Sequence, residues 1–258
     1  MKLNIIHLYP DLLNLYGDLG NIKCLQKRLN DRNIEANIIP FTDESDENIL
    51  LEGDIFFMGG GSDRSQKLVY NHFLKYKDNF KQLIDDNKVV LAVCGGFQLL
   101  GKEYFDKYGN MIPGLNILDY NTKSGFSRRI IGNIIIETNL DINPKTIVGF
   151  ENHGGRTYSE YAALGSVIKG IGNNDDDKKE GVIYKNFIGT YLHGPILPKN
   201  PHLADYLILK ALQNKYDIDS LSLLDDTIEM KAHKKVIKLE NIWLYYISNP
   251  FFSIWNCL

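Results

Sequence analysis

Apolar and polar positions fall into two textures along this chain. In the first, short apolar runs alternate with helical patterns. "KLNIIHLY" (Lys2 to Tyr9) and "IEANIIPF" (Ile34 to Phe41) predict strands, and between them "NIKCLQKRLNDR" sets Ile22, Leu25, Gln26 and Leu29 at helical spacing. The acidic "TDESDEN" reads as a surface connection. "DIFFMGGGSD" is a buried strand that stops in three glycines, and Arg64 to Ile84 predicts one helix. "KVVLAV" is a further buried strand, running directly into "CGGFQLLG". Apolar strands alternating with helices make βαβ units and a mostly parallel sheet.

From Gly109 the texture changes to strand candidates punctuated by glycine and proline. These are "LNILDY", "RRIIGNIIIE", "KTIVGFEN", "LGSVIKG", "GVIYKN" and "FIGTYLHG", with a helix only at "HLADYLILKALQNKY" (His202 to Tyr216). We therefore expect an α/β fold, a mostly parallel central sheet flanked by helices, and a β-rich C-terminal half. Residues 1–215 read as one domain and 216–258 as a C-terminal extension. "NNDDDKKEG" lacks the alternating acidic ligands and the glycine-then-glutamate spacing of a calcium loop, and reads as a solvated hairpin loop.

Composition narrows the classes. A net charge of -3 over 258 residues gives no electrostatic case for nucleic acid or an anionic surface. The start lacks the apolar region and cleavage site of a signal peptide, and no apolar run reaches the ~18 residues of a spanning helix. The three cysteines Cys24, Cys94 and Cys257 form neither a disulfide framework nor a zinc pattern. No metal site is expected, and a reducing, cytoplasmic setting fits.

The candidate chemistry starts at Cys94. It stands where a buried strand meets a helix, the edge at which parallel sheets bind ligands. Gly95 and Gly96 allow a tight turn, and the helix start activates a thiol as a nucleophile. The competing reading is a buried packing cysteine, which would not need the two glycines. Cys24, mid-helix, and Cys257, near the last residue, are expected bystanders.

A thiol nucleophile needs a base. His7 reads as a packing residue, His72 and His233 as surface residues, and His202 as part of a helix start. His153 in "GFENHGGRTY" fits a hydrogen-bonded loop. His193 in "FIGTYLHGP" ends an apolar strand, as Cys94 does, and is the better base. Backbone N–H groups of Gly60, in "MGGGSDRSQ", and of Gly95 would form the oxyanion hole. A phosphate loop is the rival for those glycines, but Gly-x-x-x-x-Gly-Lys-Ser/Thr is absent.

Together these residues resemble the class I (triad-type) glutamine amidotransferases, whose cysteine elbow carries a glutamine four residues on, as Cys94 and Gln98 do. More narrowly, "GGGSDRSQ", "CGGFQLLG", "GFENHGGRT" and "YLHGP" resemble the cobyric acid synthase branch. Within it, "LYGDLGNI", "FFMGGGSDR", "GNNDDDKKEG" and "GTYLHGPILPKN" are most similar to glutaminase subunits that serve lipid II amidation. The resemblance covers about residues 1 to 215.

It implies a flavodoxin-like fold and a glutaminase that takes L-glutamine. Ammonia would pass to a Mur-ligase-like synthase subunit in a heterodimer. That partner would hold ATP, Mg and the lipid II acceptor, and amidate its D-glutamate to D-isoglutamine. No cofactor is expected on this chain, whose fold starts at Lys2 with no synthase domain in front. A corrin carboxylate is the rival acceptor, and a non-catalytic module on the same fold the rival class. The resemblance makes Cys94 the nucleophile, His193 the base and Gln98 a support of the glutamine pocket. It also places an arginine on the substrate: spacing to Gly132 favours Arg129, and distance from Cys94 favours Arg128. Many relatives set a glutamate two residues after the histidine. Here Pro195 stands there, which implies a Cys–His dyad or an orienting group from the partner. The aromatic tail "ENIWLYYISNPFFSIWNCL" carries Asn249 and Pro250 and makes a poor spanning helix. It reads as a docking segment, a contact to the inner membrane face or a terminus without function.

Overall fold

The structure is a computed structural model that describes residues 1–105, 110–124 and 128–248, with 240–248 traced by backbone alone. Cys257 and the tail beyond Ser248 lie outside the described residues. The first half runs β1 (Lys2–Leu8), α1 (Leu19–Asn30), β2 (Glu35–Phe41), α2 (Asn48–Leu51), β3 (Ile55–Met58), α3 (Asp63–Phe73), α4 (Lys77–Asp85), β4 (Val89–Val93) and α5 (Gly95–Leu100). The second half carries β5 (Glu103–Phe105), β6 (Met111–Pro113), β7 (Tyr120–Lys123), β8 (Ile130–Glu137), β9 (Thr146–His153), β10 (Arg156–Ser159), β11 (Gly165–Lys169), β12 (Lys179–Glu180), β13 (Val182–Tyr184) and β14 (Phe187–Thr190). It closes with α6 (Pro201–Tyr216) and α7 (Thr227–Ser248).

The central sheet has the order β13-β14-β4-β3-β1-β2, parallel except where β13 meets β14. β3 and β4 are buried at every position, which is why they read as unbroken apolar runs. β14 comes from the second half of the chain and inserts next to β4, pairing Thr190 with Val93. Between these strands the chain builds two four-stranded sheets, β10-β7-β5-β6 and β12-β11-β8-β9.

Four expectations change. The predicted helix over Arg64 to Ile84 is broken by a 3-10 turn at Leu74–Tyr76. That turn sets Tyr76 edge-on against Phe41, with ring centroids 5.4 Å apart. "LNILDY" is mostly irregular, since only Tyr120 joins β7. Most consequentially, His202 to Tyr216 is not the last helix. α7 follows and packs on β8, β9 and the 3-10 turn Leu197–Lys199. His233, expected at the surface, is buried there; its two ring nitrogens meet Thr146 Oγ1 and the Lys199 carbonyl, each at 2.9 Å. A polar side chain with both nitrogens bonded is tolerated in an interface that its charged neighbours had suggested was solvent.

α1 is tied down from its far side. Arg28 and Arg32 both reach Asp205 of α6, and Arg28 also reaches Asp226 just before α7. This fixes the helix whose N-terminal end faces the candidate site.

Candidate active site

Cys94 sits between β4 and α5 with φ 49° and ψ -104°, a conformation that L-residues rarely adopt. Such strain, of order 1–3 kcal/mol, is the signature of a nucleophile elbow. The two glycines have a steric reason. A β-carbon on Gly95 would stand 2.6 Å from Gly61 N, and one on Gly96 would stand 2.7 Å from Met58 O. Only bare backbone lets α5 dock on the turn that follows β3, and Gly96 N–H then donates to Gly59 O.

His193 arrives from β14. Its backbone exchanges two hydrogen bonds with Phe150 of β9, so the residue is pinned between the central sheet and the second one. The position of Gly60 marks the convergence. A β-carbon there would stand 3.0 Å from His193 Cε1, 3.3 Å from Asp18 Oδ2 and 3.6 Å from Cys94 Cβ. Burial disfavours the His193 imidazolium, but the charge of Cys94 and the Asp18 carboxylate outweigh it and push its pKa up to about 10. A thiolate beside an imidazolium is the charge arrangement a cysteine nucleophile needs.

The cavity in front of Cys94 is about 450 Å³ and is walled by Tyr16, Gly61, Gln66, Gln98, Arg129 and His153, among others. Arg129 holds its guanidinium on the Asn152 carbonyl and side-chain oxygen, at 2.9 and 3.0 Å. Arg128 lies outside the wall, with its side chain 69% exposed and 3.6 Å from Asp175. Gln98 is buried in a chain of hydrogen bonds: Gln66 Nε2 donates to its Oε1 at 3.3 Å, and its Nε2 donates to Tyr191 Oη at 3.2 Å. Tyr191 continues to Thr157 at 2.7 Å. Gln66 closes the quoted "GGGSDRSQ" and Tyr191 lies inside "GTYLHGP", yet neither was singled out.

The backbone donors near Cys94 are not equally free. Gly60 N–H is committed to Asp18 Oδ2 at 2.6 Å. Gly61 N–H makes no hydrogen bond among the described residues and lies against Gly95, the first residue of α5. Gly61 with Gly95 is therefore the donor pair that the fold leaves open.

The other histidines and thiols separate cleanly. His153 lines the cavity but stacks on Tyr191 at 3.7 Å, and its Nδ1 contacts Gly155 O at 2.8 Å. Burial pushes it down to about 3, so it is neutral and a poor base. His7 is buried against Phe57, and His72 is hydrogen-bonded to Tyr9. His202 bonds the Thr146 carbonyl rather than capping its helix. Cys24 borders a separate cavity beside α1, where burial pushes its thiol up to about 12. "NNDDDKKEG" is a hairpin loop, but not a solvated one throughout: Asn173 and Asn174 are buried and bond its own backbone, and Asp175 pairs with Arg156. Among the described residues no group of three or more acidic, histidine or cysteine side chains could hold a metal ion. No helix among them is long and apolar enough to cross a membrane.

Comparisons with known proteins agree with this geometry. The chain is 46% identical over 240 residues to "Lipid II isoglutaminyl synthase (glutamine-hydrolyzing) subunit GatD" of Staphylococcus aureus, covering 93% of this chain and 97% of that one. The subunit of the same name from Streptococcus pneumoniae is 40% identical, over 93% of this chain and 88% of its own. Among solved structures, the glutaminase domain of a Trypanosoma brucei CTPS with bound acivicin superimposes with TM-score 0.53 at 14% identity. It covers 85% of this chain and 98% of that one, which speaks for the fold alone. Residues 4–201 match the CobB/CobQ-like glutamine amidotransferase domain. The elbow at Cys94, the strand-end histidine beside it and these matches give one answer: the chain belongs to the CobB/CobQ-like glutamine amidotransferase family.

Proposed function

We propose that this chain is the glutaminase subunit of a lipid II isoglutaminyl synthase, with residues 1–215 forming the glutaminase body. The observation that carries the reading is the meeting of Cys94 and His193 at the ends of adjacent parallel strands, in a cavity with an arginine on its wall. L-Glutamine enters with its carboxylate on Arg129. The Cys94 sulfur attacks the side-chain amide carbon, and the oxyanion is held by the Gly61 and Gly95 N–H groups. His193 takes the thiol proton and delivers it to the amide nitrogen. The C–N bond breaks, ammonia leaves and a γ-glutamyl thioester remains. His193 then deprotonates a water that attacks the thioester, and glutamate is released.

Ammonia passes to a Mur-ligase-like synthase, which uses ATP and Mg to amidate the D-glutamate of the lipid II stem peptide. The near end-to-end coverage of the staphylococcal subunit supports a separate partner chain. The work would be done in the cytoplasm, against the inner membrane face where the lipid-linked acceptor lies. The test is co-purification with the candidate synthase, followed by an amidation assay on a D-glutamate-containing muropeptide lipid. Cys94→Ala should abolish glutamine-driven amidation and keep ammonia-driven amidation, while Cys24→Ala keeps both. Full glutamine-driven activity in Cys94→Ala would sink the mechanism.

A further inference from the structure

Pro195 takes the place at which an orienting acid is expected, and the structure shows what it does instead. Pro195 packs on α1: a β-carbon on Gly20 would stand 2.4 Å from its Cγ. This close approach brings the first turn of α1, led by Asp18, up to the imidazole. Asp18 Oδ1 lies 3.7 Å from His193 Nδ1. Both side chains are buried, at 0% and 1% exposure, and neither of these two atoms has a hydrogen-bond partner among the described residues. The carboxylate's other oxygen holds Gly60 N–H. Two buried, unpaired polar atoms of opposite character facing each other are costly unless they bond. Closing the gap by about 0.9 Å would bring a normal charge-assisted bond of roughly 2.8 Å, and such contacts often tighten only when substrate binds.

We propose that Asp18 is the positioning residue of this site: it orients His193 from the N-terminal end of α1, in place of the acid that Pro195 displaces. The inference rests on the glutaminase reading for its kinetic consequence. The Asp18 carboxylate accepts the Nδ1 proton, so the ring presents Nε2 to the thiol and keeps one tautomer through the cycle. Three contacts hold the carboxylate in place. Leu15 N–H donates to Gly60 O, Gly60 N–H donates to the carboxylate, and Asn21 Oδ1 accepts from Leu197 N on the segment following His193. The Tyr16 ring, 4.9 Å from the imidazole and edge-on to it, closes the remaining face. The other titratable groups around His193 are Cys94, His153 and Lys199, whose Nζ would lie 3.3 Å from a β-carbon on Gly194.

The decisive variant is Asp18→Asn, because an amide oxygen still accepts from Gly60 N–H while the charge toward His193 is lost. It is assayed as the full chain with its synthase, for glutamine hydrolysis and for His193 titration by nitrogen-15 histidine spectroscopy. We expect kcat to fall about 100-fold with KM within about threefold. The His193 titration should move to lower pH, since an anion that favours the imidazolium is gone. Asp31→Asn, at the far end of α1, should match wild type. A kcat within about threefold of wild type overturns the proposal, as does a loss of kcat with His193 titrating unchanged. Should Asp18→Asn fail to fold, the wild-type spectrum decides. A neutral His193 ring with its proton on Nδ1 supports the proposal, and one with its proton on Nε2 overturns it. Wild-type chain that releases no ammonia from glutamine would refute the glutaminase reading, and the titration would still report on the pair.

Discussion

Glu180 supplies a stability prediction with a definite sign. It lies fully buried on β12, where its Oε1 accepts from Thr190 Oγ1 at 2.6 Å and from Tyr191 N at 2.8 Å. Its Oε2 has no hydrogen-bond partner among the described residues. Burial, with the charge of Glu151 adding to it, outweighs those hydrogen bonds and raises the carboxyl from 4.5 to about 7. The native state therefore holds this proton across a range in which the unfolded chain has released it. Its contribution is fully present below pH ~4.5 and declines as pH rises to ~7. Raised that far, the carboxyl contributes roughly 3 kcal/mol in all, most of it lost between pH 5 and pH 8. Glu180→Gln keeps the acceptor for Thr190 and Tyr191 and cannot ionise. Any fixed cost of the new amide cancels when the two proteins are compared at both pH values. Urea unfolding at pH 5 and pH 8 should show the variant gaining roughly 2 to 3 kcal/mol on wild type over that interval. Profiles that stay parallel to within about 0.5 kcal/mol would refute the reasoning. The residue anchors Thr190 and Tyr191, just ahead of His193, by accepting from both.

Three further outcomes follow from the site and its surroundings. Arg129→Ala should raise KM for glutamine about 10- to 100-fold, as loss of a charged hydrogen-bond donor to the substrate carboxylate implies. Arg128→Ala should stay within about twofold in the same steady-state glutaminase assay. Gly189→Ala places a β-carbon 2.2 Å from Phe97 Cδ2, beneath the elbow helix. It should cost about 1–3 kcal/mol by overpacking, measured by denaturant unfolding.

Much of this architecture is legible in local pattern. β3 and β4 announce themselves as unbroken apolar runs ending in glycines, and "CGGFQLLG" marks its own candidate nucleophile, because an elbow's parts are adjacent in the chain. His193 is legible for the same reason. What local pattern hides is anything defined across the fold. Asp18 lies 175 positions before His193 and looks like an ordinary polar residue between glycines. The loss of Gly60 as a donor is visible only once Asp18 is seen bonded to it. The choice between Arg128 and Arg129 turns on one position just ahead of β8, where Arg129 joins the cavity wall and Arg128 turns toward Asp175. α7 was missed because its Lys-rich stretch suggested solvent, while Met230, His233 and Ile237 lie at helical spacing for one packed face.

The placement of β14 also bears on when the thiol becomes dangerous. Cys94 and His193 are neighbours in the sheet but 99 positions apart in the chain, and two entire sheets are built between them. A ribosome must finish both before His193 can reach Cys94. β4 can fold and bury against β3 well before that, with its cysteine still lacking the imidazolium. Reactivity thus arrives last, with the parallel pairing of Thr190 and Val93 that completes the sheet. A half-made chain has no assembled site, however early β3 and β4 pair.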